Sequence, residues 1–301
     1  MDKVVVLLSS YNGEKYIREQ IDSILKQKNV KVELIVRDDG STDNTIKILN
    51  QYSKEYPNFR YYQGKNLGPA FSFLELISNA PNANFYSLAD QDDVWDNDKL
   101  YIGISTLKKI KTKIPLLYHC NTRIVDKDLH TLRIGKKNIN KTSKYSALME
   151  NRATGCTMIF NDIAREKIIS RSPEYVSMHD SWIYLIVSFF GKVIYDNKAH
   201  MSYRQHNNNV IGANTCKVDK IKSKINRLFD FNSMPRYRLA NSFLSMYGGE
   251  LSKEEYKKAK KLVNYKNSIK DKLYLIIDKD FKSDSILRNI EYTLLIVLGN
   301  L

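Results

Sequence analysis

The sequence predicts an α/β fold with a mostly parallel central sheet, helices on both faces and a C-terminal helical extension. Between residues 3 and 89, short and continuously apolar segments alternate with segments whose apolar residues recur at helical spacing. This alternation is typical of parallel strands covered on both faces by helices. From Thr215 onward the chain shows basic amphipathic helical patterns and no strand pattern. We therefore predict an α/β domain over residues 1–214 and a basic helical region over residues 215–301.

The first half of the α/β domain contains four predicted strands, which are Lys3–Leu8, Val32–Val36, Phe59–Tyr62 and Asn84–Ala89. The helices predicted between them cover Glu14–Gln27, a segment that carries Ile46, Leu49 and Tyr52, and a segment opened by Gly68 and Pro69. Sheets of this kind bind ligands at the carboxyl ends of their strands. Three polar clusters follow the strands and converge on that edge: Ser9–Asn12, Asp38–Asp43 and Asp90–Asp93.

The second half of the domain begins with a predicted helix over Lys99–Ile110. A strand is predicted over Pro115–Val125, and a glycine turn at Gly155 leads into another strand. A strongly apolar helix, Ile183–Phe190, precedes a short predicted strand over Lys192–Tyr195.

The chain carries a formal net charge of +15, and the excess is densest at the C-terminus. From Thr215 there are 18 Lys and Arg against 10 Asp and Glu, a net +8. A basic excess indicates an anionic partner, such as nucleic acid, an anionic membrane surface or a phosphorylated substrate, or it serves solubility alone. No recognised nucleic-acid-binding motif occurs, so we expect no nucleic-acid partner.

The three cysteines, Cys120, Cys156 and Cys216, are widely spaced. They show neither a disulfide framework nor the spacing of a metal site, which fits a reducing cytosol. Val4–Leu8 is too short for a signal peptide, and no apolar run approaches the roughly 20 residues of a spanning helix. We expect a cytoplasmic protein whose membrane contact, if any, is peripheral and at the inner face of the cell membrane.

Three carboxylates, Asp90, Asp92 and Asp93, directly follow the fourth strand. Carboxylates spaced so closely raise each other's pKa unless a positive charge lies between them. A divalent cation shared with a phosphate-bearing ligand is the usual solution at the end of a strand. The alternative is a solvated acidic turn before a helix that Asp98 caps. The convergence of three polar clusters on one edge favours the metal and nucleotide site.

The turn after the first strand contains no G-x-G-x-x-G motif, and no P-loop occurs in the chain. A dinucleotide dehydrogenase and a P-loop enzyme therefore lose their main support. The turn offers Ser10, Tyr11 and Asn12 instead, polar residues that can contact a base or a ribose. It lacks Lys and Arg, which argues against a nucleotidyltransferase.

Five blocks of the sequence, taken in order, resemble the family 2 glycosyltransferases of GT-A fold. Three of the blocks are Leu8–Gly13, Arg37–Asp43 and Asp90–Trp95. The other two, His179–Trp182 and Tyr203–His206, resemble the bacterial rhamnosyltransferase-like branch. The resemblance covers about residues 3–212 and does not extend to residues 215–301.

The resemblance implies a donor site for a nucleotide-diphosphate sugar. Asp39 would contact the base or the ribose, assisted by Ser10 and Tyr11. The alternative for Asp38, Asp39 and Asp43 is turn formation and helix capping, and we assign the capping to Ser41, Thr42 or Asp43.

The resemblance also implies a metal site. Asp90 and Asp92 would form the D-x-D pair, with Asp92 the ligand of Mg²⁺ or Mn²⁺ and Asp93 the alternative ligand. The cation would offset the charge that develops on the leaving nucleoside diphosphate. His206 lies where related enzymes place a histidine that reaches the metal or the diphosphate, although a satisfied surface or core histidine is equally common. Arg204 would contact phosphate through its guanidinium, and Asn207–Asn209 with Gly212 predict a loop that closes over the donor.

Asp180 is implied to be the general base, which removes the proton from the acceptor hydroxyl in an inverting transfer. Trp182 would supply a partly desolvated setting, and Gly155 would allow close backbone approach on the acceptor side. His179 stands before the base where many family members have Glu or Asp, as in the rhamnosyltransferase-like branch. The alternative is that Asp180 only caps the following helix.

These features together predict an inverting glycosyltransferase that moves a sugar to a hydroxyl of a saccharide or lipid-linked saccharide in bacterial surface polysaccharide synthesis. The resemblance implies L-rhamnose from its dTDP form, and galactose, glucose or an N-acetylhexosamine is the alternative. A nucleotidyltransferase or an anion-binding protein is a more distant alternative. The basic tail would contact anionic lipid or pack onto the catalytic domain. Its last predicted helix carries the apolar residues Ile286, Leu287, Ile290, Leu294 and Leu295.

Overall fold

The computed structural model describes residues 1–135, 143–206, 230 and 233–301. The chain divides into two compact units. Unit 1 comprises Met1–Asn138, Ala153–Ser170 and Met178–Val210, and unit 2 comprises Ile139–Arg152, Arg171–Ser177 and Ile211–Leu301. The predicted domain boundary after residue 214 lies outside the described residues, and so do Asn207–Asn209, Gly212 and Cys216.

The described residues of unit 1 include nine strands that form one sheet. The strands are β1 (Lys3–Ser10), β2 (Lys31–Asp38), β3 (Phe59–Gln63), β4 (Phe85–Asp90), β5 (Val94–Trp95), β6 (Leu116–Val125), β7 (Thr131–Ile134), β8 (Met158–Asn161) and β9 (Lys192–Arg204). Their order in the sheet is β3-β2-β1-β4-β8-β6-β9-β5, and β7 pairs with β6.

The strands β3-β2-β1-β4 are all parallel, as the sequence predicts. The other half of the sheet is mixed, because β8 runs antiparallel between β4 and β6, whereas β6 and β9 are parallel. The short strands β5 and β7 pair antiparallel with β9 and β6 and were not predicted. With two and four residues, they are too short to show a reliable hydrophobic period.

The described residues of unit 1 also form six α-helices: α1 (Ile17–Leu25), α2 (Thr45–Glu55), α3 (Gly68–Asn79), α4 (Lys99–Lys108), α5 (Asp162–Ile169) and α6 (His179–Phe190). Successive side chains of β1 point to opposite faces of the sheet. Val4, Val6 and Leu8 pack in a core cluster with residues of α1, α2 and α4, whereas Val5 and Leu7 are fully buried outside that cluster. Burial of both faces confirms the predicted α/β class, with helices on both sides of the sheet.

Three predicted elements differ in their bounds by more than two residues. Helix α1 begins after the predicted start, because the amides of Gly13 and Glu14 donate to Thr45 Oγ1 (2.8 Å) and Asp43 Oδ2 (3.0 Å). Strand β9 is 13 residues long instead of a short segment, because it pairs with β6 along its length and with β5 near its end. Helix α6 begins at His179, before its predicted start.

The described residues of unit 2 form four α-helices and no strand, as predicted: α7 (Pro235–Tyr247), α8 (Lys253–Asn264), α9 (Ile269–Ile277) and α10 (Ile286–Leu298). Serine side chains cap the last three helices. These residues are Ser252, Ser268 and Ser285, each of which accepts a hydrogen bond from the amide three positions later. Within the described part of the chain, no helix has the length and apolar character needed to cross a membrane.

Candidate active site

The carboxylate of Asp38 builds the turn after β2 and is fully buried. Its Oδ2 accepts hydrogen bonds from the hydroxyls of Ser10 (2.9 Å) and Ser41 (2.5 Å). Its Oδ1 accepts from the amides of Gly40 (3.2 Å) and Ser41 (2.8 Å). Gly40 has a φ of 89°, a conformation that favours glycine. Ser10, a predicted nucleotide contact, therefore also holds the ends of β1 and β2 together.

Asp39, the main predicted contact to the nucleotide, lies buried at the N-terminus of α3. Its Oδ1 accepts from the guanidinium of Arg37 and from the amide of Leu67 (2.9 Å), and its Oδ2 accepts from the amide of Gly68 (2.9 Å). A carboxylate at this position pairs with the free amides and the dipole of the helix. Asp39 therefore supports the start of α3, a structural role in line with turn formation and helix capping, the alternative for this residue.

The turn after β1 carries Tyr11 and Asn12. Asn12 has a φ of 50°, a left-handed conformation that asparagine tolerates, and its Oδ1 accepts from the amide of Thr42 (2.8 Å). The backbone of Tyr11 exchanges two hydrogen bonds, of 2.9 and 3.0 Å, with the side-chain amide of Gln91. Because about half of Tyr11 is exposed, its ring is accessible to a ligand at this edge.

The acidic triplet follows at the end of β4. One carboxylate oxygen each of Asp90 and Asp93 and the sulfur of Cys156 lie within 4.8 Å of one another. Burial, followed by the charges of Asp92 and Asp180, raises the pKa of Asp90 to about 7. Burial also raises the pKa of Asp93 well above its usual value, followed by the charges of Asp92 and Asp90. The cluster therefore favours a proton or a cation among its carboxylates.

Lys99 faces this cluster from the protein interior and is fully buried. Its Nζ lies 3.2 Å from the centroid of the Trp95 ring and has no hydrogen-bond partner among the described residues. Burial lowers the pKa of Lys99 to about 8, an effect that the neighbouring cysteines and the carboxylates Asp93 and Asp90 partly oppose. A cation held by an aromatic ring thus balances part of the negative charge of the site.

Asp92 and His206, the predicted metal ligands, lie together. Asp92 Oδ2 and His206 Nε2 are 2.7 Å apart, and the His206 ring stacks on Tyr16 with centroids 4.9 Å apart. Adjacent ligands of an octahedral Mg²⁺, each at about 2.1 Å from the ion, lie about 3 Å apart. Asp93 Oδ2 is buried and has no hydrogen-bond partner in the described part of the chain. Asp92 and His206 therefore lie close enough to share a divalent cation, whereas Asp93 belongs to the adjacent cluster with Asp90 and Cys156.

Arg204 is almost fully buried, and its guanidinium donates to protein groups. Nε donates to the carbonyl of Asp92 (2.8 Å), Nη1 to the carbonyl of Lys127, and Nη2 to the carboxylate of Glu19. The guanidinium lies 4.5 Å from the centroid of the Tyr16 ring. The residue predicted to contact phosphate therefore holds the backbone of the acidic triplet.

Asp180, the predicted base, lies in the first turn of α6 and is largely buried. Its Oδ1 accepts from the amide of Ser181 (2.7 Å) and its Oδ2 from the amide of Gly155 (3.3 Å). Met178 occupies the N-cap position of this helix, so Asp180 is not its N-cap residue. Because Cys156 follows Gly155 and belongs to the cluster with Asp90, Asp180 lies near the acidic triplet.

His179 and Trp182, predicted on the acceptor side, are buried in unit 1. The His179 ring packs against Phe73 with centroids 4.0 Å apart. Burial lowers the pKa of His179 to about 3, and the carbonyl of Pro69 opposes this shift only partly. A Cβ on Gly155 would meet His179 Nε2 at 2.6 Å, so glycine is required at this close approach.

Three residues of the site were not predicted from the sequence. Gln91 lies inside the acidic motif but carries no charge, and it holds the backbone of Tyr11. This contact needs a glycine at position 13, because a Cβ there would meet Gln91 Oε1 at 2.3 Å. Cys156 shows no metal-ligand spacing because its neighbours in the cluster are remote in sequence. Lys99 looks like an ordinary solvated lysine at a helix start, and its only signal is the nearby Trp95.

Comparisons with known proteins agree on one family. The family model of Glycosyl transferase family 2 matches residues 5–166. The dTDP-rhamnosyl transferase RfbG of Shigella flexneri is 30% identical in an alignment of 241 residues that covers 73% of this chain and 78% of RfbG.

Solved structures agree on the fold. A structure of S. aureus TarS gives a TM-score of 0.58 at 16% identity over 92% of this chain, although the match covers only 46% of the TarS chain. The mannosyltransferase PcManGT from Pyrobaculum calidifontis, in complex with GDP-Man and Mn²⁺, gives a TM-score of 0.53 at 14% identity over 99% of this chain and 86% of PcManGT. At these identities the likeness shows the GT-A fold alone, which confirms the predicted class.

The family model covers more than half of the chain, and RfbG reaches 30% identity over 73% of it. The chain therefore belongs to glycosyl transferase family 2, as a glycosyltransferase of GT-A fold that is similar to the rhamnosyltransferase-like branch.

Proposed function

We propose that this glycosyltransferase catalyses an inverting, metal-dependent transfer of a hexosyl group from a nucleotide-diphosphate sugar to a hydroxyl of a saccharide or lipid-linked saccharide. The observation that carries the proposal is the proximity of Asp180 to the acidic triplet. The charge of Asp180 contributes to the raised pKa of Asp90, after burial and Asp92, and Gly155-Cys156 links the two carboxylates. A base beside a diphosphate site is what an inverting transfer requires.

In this mechanism Asp180 accepts the proton of the acceptor hydroxyl while the hydroxyl oxygen forms a bond to the anomeric carbon of the donor sugar. The bond between that carbon and the diphosphate oxygen breaks, and the electron pair leaves with the nucleoside diphosphate. A divalent cation held by Asp92 and His206 would, when bound, offset the charge of this leaving group. Arg204 keeps the acidic triplet in position through the Asp92 carbonyl.

The nucleotide half of the donor is proposed to lie against the turns after β1 and β2. The exposed ring of Tyr11 offers a stacking surface, whereas Ser10 and Asn12 hold the two turns together. Asp39 borders the same site, and Asp90 contacts the sugar nucleotide at the end of β4.

The acceptor is proposed to enter on the side of Gly155, His179 and Trp182. The buried and neutral His179 keeps Gly155 and the adjacent part of α6 in place, so that the Asp180 carboxylate has a defined direction.

We propose dTDP-L-rhamnose as the donor and Mg²⁺ or Mn²⁺ as the cation. The similarity to RfbG, a dTDP-rhamnosyl transferase, supports the donor, and the Mn²⁺ in the PcManGT complex supports the cation. Galactose, glucose or an N-acetylhexosamine is the alternative sugar. The name of RfbG places that protein among rhamnosyl transferases, and we propose bacterial surface polysaccharide synthesis, such as capsule synthesis, as the setting for this chain.

The test is a screen of nucleotide sugars for transfer or hydrolysis with Mg²⁺ or Mn²⁺. For Asp180→Asn we expect kcat to fall by about 10²–10⁴-fold with little change in donor affinity, because the amide cannot accept the proton. Asp92→Asn should lower the affinity for the cation. The matched control is Asp98→Asn, since Asp98 also stands at a helix N-terminus but makes no side-chain cap. If the Asp180→Asn and Asp98→Asn variants have the same kcat, Asp180 is not the base.

A further inference from the structure

Helix α9 of unit 2 presents an apolar stripe to solvent. Ile269, Leu273 and Ile277 recur every fourth residue and are 79, 53 and 73% exposed. Residues at this spacing lie on one side of a helix. Leu275 is the buried residue of α9, whereas three of its large apolar residues are exposed.

Helix α10 likewise has one buried side and one exposed apolar side. The side chains that face the unit interior are Tyr292, Leu295 and Ile296. Ile286, Leu287, Ile290, Leu294 and Val297 are instead between 46 and 77% exposed. The sequence grouped Leu295 with the lipid-facing residues, but it is 1% exposed and belongs to the core.

The two stripes adjoin each other. The Nζ of Lys272 on α9 donates a hydrogen bond to the carbonyl of Val297 on α10, with a length of 3.0 Å. Leu273 is next to Lys272 in the chain, so exposed apolar side chains of both helices flank this contact. We call the exposed apolar residues of α9 and α10 the apolar face. Exposed apolar surface on two neighbouring helices indicates an interaction site.

The charges around the apolar face are positive. Four carboxylates in and directly after α9 are engaged by cations of the same unit, in the pairs Asp271–Lys261, Asp278–Lys258, Asp280–Lys258 and Asp284–Arg152. By contrast, Lys270, Lys279 and Lys282 form no ion pair within the described residues. The amine of Lys272 bonds only a backbone carbonyl in the same set. The unpaired charge on this surface is therefore basic, and it complements an anionic partner.

We propose that the apolar face docks onto the surface of an anionic bilayer, with the apolar side chains at the headgroup boundary and the lysines among the headgroups. Interfacial helices combine an apolar face with a basic rim in this way, and each Lys near an anionic surface adds to the attraction. A second copy of the chain would bring the same lysines together, which disfavours self-association. Membrane docking rests on the proposed function only in its biological purpose, which is to bring the enzyme to a lipid-linked acceptor.

The test is flotation of the full-length protein with vesicles, without any substrate. The vesicles contain phosphatidylcholine alone or phosphatidylcholine with an equal amount of phosphatidylglycerol. We expect flotation with the anionic vesicles and little with the neutral ones, and a fall with added salt. The triple variant Leu273→Gln, Ile277→Gln and Ile290→Gln should lower partitioning by at least about tenfold, because these apolar side chains no longer enter the boundary.

The matched control is the double variant Leu132→Gln and Ile134→Gln in β7, whose side chains are 56 and 53% exposed, and it should float like the wild type. All substituted residues are exposed, so melting curves should coincide. Equal flotation of the triple variant and the wild type overturns the proposal, and so does a wild-type dimer in light scattering that the triple variant abolishes. Hydrolysis of the donor in solution is measured separately, so that a failure of the catalytic assignment is distinguishable from a failure of membrane docking.

Discussion

Asp39→Asn perturbs the carboxylate that connects the turn after β2 with the start of α3. In the folded protein this carboxylate accepts hydrogen bonds from the Arg37 guanidinium and from the amides of Leu67 and Gly68. An asparagine retains one oxygen and turns an amide group toward one of these donors. The variant therefore loses a buried ion pair and at least one hydrogen bond to the helix N-terminus.

The expected magnitude follows from what remains around Arg37. Breaking a buried ion pair by removing one partner costs about 3–5 kcal/mol in the free energy of unfolding. Arg37 keeps the carboxylate of Glu75 (3.0 Å) and the carbonyl of Lys65 (2.9 Å), so the guanidinium is not left without partners. We therefore expect the lower end, about 3 kcal/mol, which corresponds to a fall of about 6–12 °C in Tm.

The assay is thermal and urea unfolding followed by circular dichroism, with donor binding measured by calorimetry at a temperature where both proteins are folded. The control is Glu75→Gln, which removes the other carboxylate of Arg37 from a side chain that is 36% exposed. It should cost less than about 1 kcal/mol, because solvent screens this pair. If Asp39→Asn melts within about 2 °C of the wild type, Asp39 does not support the fold and acts only on the nucleotide.

Two further predictions concern the acidic triplet and the base. Gly155→Ala should lower the free energy of unfolding by about 1–3 kcal/mol and lower kcat, because the new Cβ would meet His179 Nε2 at 2.6 Å. In the control Gly249→Ala, the new Cβ has no neighbouring atom within 4 Å, so that stability and kcat should both stay unchanged. Identical melting and kcat for the two variants would contradict this. Burial and the neighbouring carboxylates raise the pKa of Asp90 to about 7 in the folded protein. Without a cation, the folded protein therefore keeps a proton on Asp90 that the unfolded chain loses near pH 4. The free energy of unfolding should consequently fall as pH rises from about 4 to 7. Divalent cations should consequently raise Tm more at about pH 8 than at about pH 5, and Asp90→Asn should reduce this difference. An equal rise at both pH values for the wild type would refute the role of Asp90.

Much of the fold could be predicted because it depends on local pattern. The strands β1, β2 and β4 are predominantly apolar because both of their faces are largely buried, and their polar ends mark the edge that carries the candidate site. The edge strand β3 is partly exposed and carries Arg60. The pattern failed at β5, β7 and β9, where strand pairing across the sheet, not hydrophobic period, keeps short or partly exposed segments extended. Their stability comes from partners that no local window contains.

The sequence by itself determined the α/β class, the order of the motifs and the residue types available at the sheet edge. Only the tertiary structure decided how those residues are used. Asp39 and Arg204 are engaged by protein groups, His206 meets Asp92 across 114 positions, and Gly155-Cys156 connects Asp180 with Asp90. The physical reason is that a buried polar group must find its hydrogen-bond partners wherever the folded chain brings them, and such partners leave no periodic trace in the sequence.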